Sequence, residues 1–149
     1  MFLTLTKLSL LVSISLGLVG FGACDGSIHV KGRVYAQKGS AGDSQAFIDQ
    51  SAPSNGLSPI KDAKVTLYHA GDFSPNSNKN SDLRKASTLT ATDGSFEVGG
   101  LTSPFRFNAG LVIEKDGYKP ITKVFYHDRI DHDATIILVP EPSNASDRK

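Results

Sequence analysis

The scarcity of cysteine and the balance of charge in this sequence exclude several kinds of chemistry. Its 149 residues include one Cys, one Met and no Trp. A single Cys cannot form an intrachain disulfide framework or a zinc site built on several thiolates. The 16 Lys and Arg residues against 15 Asp and Glu residues give a formal charge of +1. This balance gives no electrostatic reason to bind nucleic acid, and the length suits one ordinary domain.

The long apolar run lies at the N-terminus. Leu8 to Ala23 carries no charge and follows Lys7. As a helix these residues would be about 24 Å long, which is shorter than the roughly 30 Å of a bilayer core. A basic start, an apolar centre and small residues at the end are typical of an export signal. We therefore expect residues 1–23 to be a cleaved signal peptide.

The lone Cys stands at the end of that run, in Phe21-Gly22-Ala23-Cys24. This stretch resembles the lipobox of bacterial lipoproteins, in which an apolar residue and two small ones precede a lipid-modified Cys. The resemblance implies a thioether-linked diacylglycerol on Cys24, with residues 24–27 as the lipidated N-terminus and short tether. Two or three acyl chains anchor a protein stably without a spanning helix. The alternative is an ordinary cleaved signal followed by an incidental Cys.

An acyl anchor predicts where the protein works. We expect it on the extracytoplasmic side of the cell membrane, in a periplasm or at the cell surface. Asp25 directly after the Cys resembles the signal that keeps lipoproteins in the inner membrane of enteric-type bacteria. Other lineages do not follow that rule, so the inner and the outer membrane both stay open.

From Ile28 onward apolar and polar residues alternate, which is typical of strands with one buried face. Asp93-Gly94 predicts a hairpin turn and Asp116-Gly117 ends another strand. Pro120 indicates an edge strand or a strand entry. The pattern predicts an all-β protein with about seven strands in one antiparallel sandwich. The predicted strands are 28–35, 63–69, 85–92, 95–98, 105–115, 118–126 and 134–139.

Two long polar stretches separate the predicted strands. Residues 38–59 and 71–82 are predicted to be surface loops, and loops of this length are uncommon unless they are mobile or functional. One turn of helix over 43–50 is the alternative for part of the first loop. Residues 140–149 are predicted to be a flexible tail.

Four short motifs lie in order along residues 28–139. Together they resemble the carboxypeptidase regulatory-like domain, a transthyretin-like (prealbumin-like) β-sandwich. In peptidases this domain is an accessory module beside a separate zinc domain, and in envelope proteins it is an ordering or docking module. The resemblance implies the fold and no catalytic activity. The matched positions are Gly32; Pro59, Ala63, Val65 and Leu67; Thr92, Asp93, Gly94 and Phe96; and Lys115 to Tyr118.

The densest group of chemically active side chains is HDRIDHD, residues 127–133. Imidazoles and carboxylates are suitable ligands for zinc or manganese. One hypothesis is a metal-binding or hydrolytic site made of His127, Asp131, His132 and Asp133. Strand alternation would place His132 on the side opposite the other three, although a turn could reunite them. We favour a polar connection between the last two strands, with no catalytic residue, metal ligand or cofactor.

These patterns predict a non-enzymatic binding or assembly module at the cell envelope. Its expected partners are the lipid bilayer, through acylated Cys24, and an envelope protein or glycan. The second partner would dock on the long loops or add a strand to an exposed sheet edge. A metal-dependent or hydrolytic activity at residues 127–133 and a passive structural spacer are the alternatives.

Overall fold

The computed structural model describes residues 26–39, 42–53, 55–102 and 107–142. The predicted signal peptide, Cys24 and the end of the tail lie outside these residues. No helix within the described ranges is long and apolar enough to cross a membrane. A short 3-10 helix spans Asn78–Asp82. The strands are β1 (Gly26–Gln37), β2 (Gln45–Ile48), β3 (Leu57–Pro59), β4 (Lys64–His69), β5 (Arg84–Leu89), β6 (Ser95–Thr102), β7 (Phe107–Glu114), β8 (Ile121–His127) and β9 (Asp131–Leu138).

These strands form two sheets that face each other. In the first sheet the order is β2-β9-β1-β3, and β6 pairs with the first part of β1 on the same side as β3. In the second sheet the order is β5-β4-β7-β8. The pairs are antiparallel except for β1 with β9, which is parallel. The predicted all-β sandwich is confirmed, with nine strands in the described residues where seven were expected.

The hydrophobic core lies between the two inward faces. Ile28, Val30 and Val34 of β1 are fully buried, as the period-two pattern predicts. Gly32 stands among them because a Cβ at this position would collide with the carbonyl of Ala134 on the parallel strand β9. The second sheet contributes Val65, Leu67, Leu111 and Ile113 to the same core.

The prediction of one continuous surface loop over 38–59 is wrong. β2 lies within this stretch and extends the first sheet by pairing with β9, while β3 pairs with the end of β1. The helical turn considered for 43–50 is wrong as well, since most of this segment is β2. Ile48, at the end of β2, is buried in the core. One buried side chain in a four-residue strand gives too little periodicity to be recognised within a polar sequence.

The stretch 71–82 contains no strand, as predicted, but it is attached to the second sheet. Phe73 is buried, and its ring lies over Gly110 of β7. The ring centroid of Phe73 is 5.0 Å from that of Tyr68. The backbone N–H of Phe73 donates to the carbonyl of Asn108 at 2.7 Å. The aromatic side chain therefore fastens this loop to β4 and β7.

Asp93-Gly94 forms a turn but not the predicted hairpin. β5 and β6, on either side of it, belong to different sheets, so the chain crosses the sandwich here. Thr90 holds the crossing in place through two buried hydrogen bonds. Its hydroxyl donates to the carbonyl of Ile60 at 2.7 Å and accepts from the N–H of Ala63 at 2.9 Å. The dipeptide predicts the local turn, but the partner of each strand depends on such long-range contacts.

Three further boundaries bear on function. Asp116-Gly117 joins the antiparallel strands β7 and β8, and Pro120 precedes β8, which is an edge strand as expected. β1 begins at Gly26, two residues before the predicted start. β9 begins at Asp131, three residues before the predicted strand, so the second half of the 127–133 cluster lies within a strand.

Candidate functional site

The structure separates the members of the 127–133 cluster. His127 ends β8 in the second sheet, and residues 128–130 turn the chain into β9 of the first sheet. His127 and His132 both point into the core, with exposed fractions of 9% and 1%. Asp131 and Asp133 point to solvent on the outer face of β9. The turn therefore reunites the two imidazoles but leaves the two carboxylates on the other side of the sheet.

The two histidines form part of a buried aromatic group. Their ring centroids are 5.8 Å apart. The ring of Phe107 lies 4.8 Å from that of His127, and Phe125 meets His132 edge-on at 4.9 Å. Each imidazole thus packs against one phenyl ring and the other imidazole, at the end of the sandwich where β1 begins.

Asp49 orients His132, and the sequence pattern gives no sign of this role. One carboxylate oxygen lies 2.7 Å from Nδ1 of His132. The other lies 2.6 Å from the guanidinium of Arg129 and accepts the backbone N–H of Asp133 at 2.9 Å. Asp49 is 83 positions from His132 and follows β2, a strand within the stretch that the sequence pattern predicts as loop. No local motif links the two, so only the pairing of β2 with β9 brings them together.

The pKa of Asp49 is lowered to about 2. Partial burial acts in the opposite direction, but hydrogen bonds from Arg129, His132 and the backbone of Asp133 outweigh it. The carboxylate is therefore ionised at neutral pH, and Nδ1 of His132 donates its proton to it. Asp49 also has a left-handed φ of 55°, a conformation in which Asp is tolerated better than most residues.

One further nitrogen of each ring is buried without a partner. Among the described residues, Nε2 of His132 and Nδ1 of His127 are buried and accept or donate no hydrogen bond. The pKa of His127 is lowered, first by burial and then by the neighbouring His132, while Asp128 acts weakly in the other direction. His127 therefore resists protonation in the folded protein.

A third buried histidine, His69, lies at the same end of the sandwich. Its ring packs against Gly100 of β6. Its Nδ1 atom is buried and unpartnered within the described residues. Burial lowers the pKa of His69, and the positive charge of Arg84 lowers it further, whereas the carbonyl of Leu101 acts to raise it. Acid-sensitive groups are thus concentrated at one end of the fold.

The described residues contain no group of three or more His, Cys, Asp or Glu side chains that could hold a metal ion. The inward imidazoles and the outward carboxylates of β9 explain this result for the 127–133 cluster. Because His132 is 1% exposed, a substrate has no access to it. The Asp49–His132 pair therefore connects β2 to β9 and orients a buried ring.

An open groove runs along the side of the sandwich between the edge strands β2 and β8. Its volume is about 550 Å³, and Asp49 and Arg129 lie among its lining residues. It is lined by four consecutive residues of β8, Lys123 to Tyr126, and by Ile48, the last residue of β2, with Asp49 and Gln50 that follow it. Successive residues of a strand point to opposite faces. A groove that contacts consecutive residues of β8 therefore lies against the main-chain edge of that strand.

Fold and site together define a two-sheet β-sandwich with a polar groove at its side, where β2 and β8 each pair on one side only within the part of the chain that the structure describes. No family model matches the chain, and no curated protein matches it. Solved structures match it at low identity. The 3-chlorocatechol 1,2-dioxygenase of Rhodococcus opacus 1CP is 12% identical with a TM-score of 0.49, over 78% of this chain and 61% of that one.

Two proteins of other kinds match at similarly low identity. The shaft pilin SpaA of Lactobacillus rhamnosus GG is 13% identical with a TM-score of 0.49, over 78% of this chain and 52% of that one. The major plantain pollen allergen Pla l 1 is 13% identical with a TM-score of 0.46, over 78% of this chain and 98% of that one. The chain thus spans about half to three fifths of the dioxygenase and the pilin, and these likenesses concern the fold alone.

Proposed function

We propose that this chain is a lipoprotein of the bacterial envelope, anchored through acylated Cys24, and that its sandwich is a non-enzymatic binding module. Its binding site is the edge groove between β2 and β8. The occupant is an extended segment of a partner protein, which pairs with the free edge of β8. The observation that carries this proposal is that the groove contacts four consecutive residues of β8.

Main-chain chemistry favours an extended peptide as the occupant. Among the described residues, β8 is hydrogen-bonded to β7 on one side only, and an edge of this kind presents unpaired N–H and C=O groups. A peptide added there gains main-chain hydrogen bonds, and its alternate side chains meet the groove walls. Lys123 and Tyr126 offer a charged group and a half-exposed aromatic ring for such side chains.

The anchor and the module are adjacent in the chain. β1 begins at Gly26, so only Asp25 stands between it and Cys24. The resemblance of residues 28–139 to the carboxypeptidase regulatory-like domain supports an accessory, docking role. The burial of His127 and His132 supports a non-enzymatic one, because these two imidazoles are closed to substrates.

Photo-crosslinking in cells tests the groove directly. Tyr126 is replaced by a photoreactive phenylalanine analogue, and Leu89, an exposed residue on the opposite edge strand β5, is replaced in the same way as the matched control. We expect a defined protein adduct from position 126 and none from position 89. Equal labelling from both positions would contradict the groove as the site. No adduct from either position in membrane-bound protein would favour a passive spacer.

A further inference from the structure

The described part of the chain exposes four large hydrophobic side chains, and two of them flank the start of β1. These two are Leu101 on β6 and Ile130 in the turn before β9, each 57% exposed. Leu101 is the register partner of Ser27 on one side of β1. On the other side, the N–H of His29 donates to the carbonyl of Ile130 at 2.8 Å. The first residues of β1 thus run between two exposed aliphatic side chains.

The spacing of the strands keeps this pair close together. β6 and β9 flank the first part of β1 on its two sides, and adjacent strands lie about 4.8 Å apart. The Cα atoms of Leu101 and Ile130 are therefore about 10 Å apart across the sheet, at the same end of the sandwich.

Each of the two side chains is accompanied by an arginine. The guanidinium of Arg84 donates to the carbonyl of Leu101 at 3.3 Å, and Arg129 precedes Ile130 in the chain with its side chain about half exposed. Arginine beside an exposed aliphatic group suits a membrane interface, where the apolar stem is buried and the charge stays at headgroup level.

The chain before β1 indicates what covers this end. Residues 8–23 are an uncharged apolar run, and Cys24 follows it directly. Two residues of extended chain span at most about 7 Å. An acyl group on Cys24 would therefore hold the start of β1, and with it Leu101 and Ile130, within reach of the bilayer surface.

We propose that Leu101 and Ile130 insert into the membrane interface and seat this end of the sandwich against the lipid, with Arg84 and Arg129 at headgroup level. This inference rests on the proposed acylation of Cys24. Arg129 is already paired with Asp49, and the exposed Asp128 and Asp131 at the same end offset more of the positive charge, so the contact depends on apolar burial more than on anionic lipid. In this orientation the groove between β2 and β8, whose lining includes Asp128 and Arg129, opens beside the membrane-facing end of the domain.

Because the chain contains no Trp, a single introduced Trp can report on its own surroundings by fluorescence. The acylated mature protein, from Cys24 onward, is reconstituted into phosphatidylcholine vesicles whose acyl chains carry bromine, a quencher of Trp fluorescence. Leu101→Trp and Ile130→Trp report on the proposed contact. Leu89→Trp is the matched control, because Leu89 is 60% exposed but lies at the opposite end of the sandwich. The neighbouring Thr90 bonds to Ile60, whose N–H donates to Val34 near the far end of β1.

We expect emission from the reporters at 101 and 130 to shift to shorter wavelength and to be quenched by bromine, and emission from position 89 to stay unchanged. If the protein sediments with the vesicles while all three reporters respond alike, the proposed insertion of Leu101 and Ile130 is wrong, whereas the proposed lipid anchor is supported. If the protein does not sediment, the anchor is wrong and the inference fails with it.

Hydroxyl-radical footprinting of the chain without Trp substitutions makes the result independent of those variants. Oxidation of Leu101 and Ile130, relative to Leu89, is compared between the acylated protein on vesicles and a Cys24→Ser variant free in solution. We expect protection of the first two residues on vesicles. Equal relative oxidation in the two samples would overturn the proposal.

Discussion

Nδ1 of His132 lies 2.7 Å from a carboxylate oxygen of Asp49, and this contact joins two strands that are far apart in the sequence. His132 is on β9, and Asp49 directly follows β2. The same carboxylate binds Arg129 and the backbone of Asp133. One side chain thus fixes the end of β2, the turn before β9 and the orientation of a buried imidazole.

Removal of that carboxylate should destabilise the fold. Asp49→Ala leaves the N–H of an almost fully buried imidazole without an acceptor, and an unsatisfied buried donor costs about 1–3 kcal/mol. We expect the free energy of unfolding, measured by urea denaturation at pH 7.5, to fall by about that amount. Asp49→Asn is the matched control, because it keeps an acceptor oxygen and tolerates the left-handed backbone. Its loss should be clearly smaller, and equal stability of Asp49→Ala and the unchanged protein would contradict this role.

Acid should destabilise the protein in two stages. Burial lowers the pKa of His127 and of His69 in the folded state, so below the ordinary histidine value the unfolded chain binds more protons. The free energy of unfolding therefore falls from pH 7.5 to pH 5.5, by at most about 1.4 kcal/mol per pH unit for each histidine. Below pH 4 the contribution of Asp49 is lost as its pKa of about 2 is approached.

His127→Leu isolates the contribution of His127 to the pH dependence of the free energy of unfolding. The substitution removes one titrating group at similar volume beside Phe107. Urea denaturation over the same pH range should give a shallower slope above pH 5.5 and an unchanged acid limb below pH 4. An identical slope in both proteins would show that His127 titrates alike in the folded and unfolded states.

The parallel pairing of β1 with β9 should depend on Gly32. A Cβ there collides with backbone atoms of Ala134 rather than with a movable side chain. We expect Gly32→Ala to lower the free energy of unfolding by about 2–3 kcal/mol, in the range of overpacked core sites. Gly117→Ala is the comparison, because that site has a φ of 80° but open space around it. Its cost should be about 1 kcal/mol, and equal losses in thermal melting would argue against the collision.

The strands with clear alternation are the part of the fold that sequence patterns predict well. Ile28, Val30 and Val34 indicate β1 and its buried face, because they all lie an even number of positions apart, as side chains on one face of a strand do. Sequence periodicity does not reveal β2, since only Ile48 of its four residues is buried. The turn motif Asp93-Gly94 does not reveal the crossover, because the dipeptide sets a local turn while Thr90 and the opposing sheet decide where the next strand pairs.

The candidate sites likewise divide into local features that the sequence predicts and long-range contacts that it does not. The sequence locates His127 and His132, but their common inward direction depends on a turn between two sheets, and the contribution of Asp49 depends on β2. The edge groove has no sequence motif, because main-chain groups of β8 define it. For Cys24, in contrast, the proposed role comes from the local sequence of the preceding residues alone.

The proposed acyl anchor at Cys24 can be measured by metabolic labelling with a radioactive fatty acid and membrane fractionation of the unchanged protein and a Cys24→Ser variant. Because Ser has no thiol to form the thioether, we expect labelled, membrane-bound unchanged protein and an unlabelled variant in the soluble fraction. A Cys24→Ser variant that still carries label and stays in the membrane fraction would show that Cys24 is not the site of acylation.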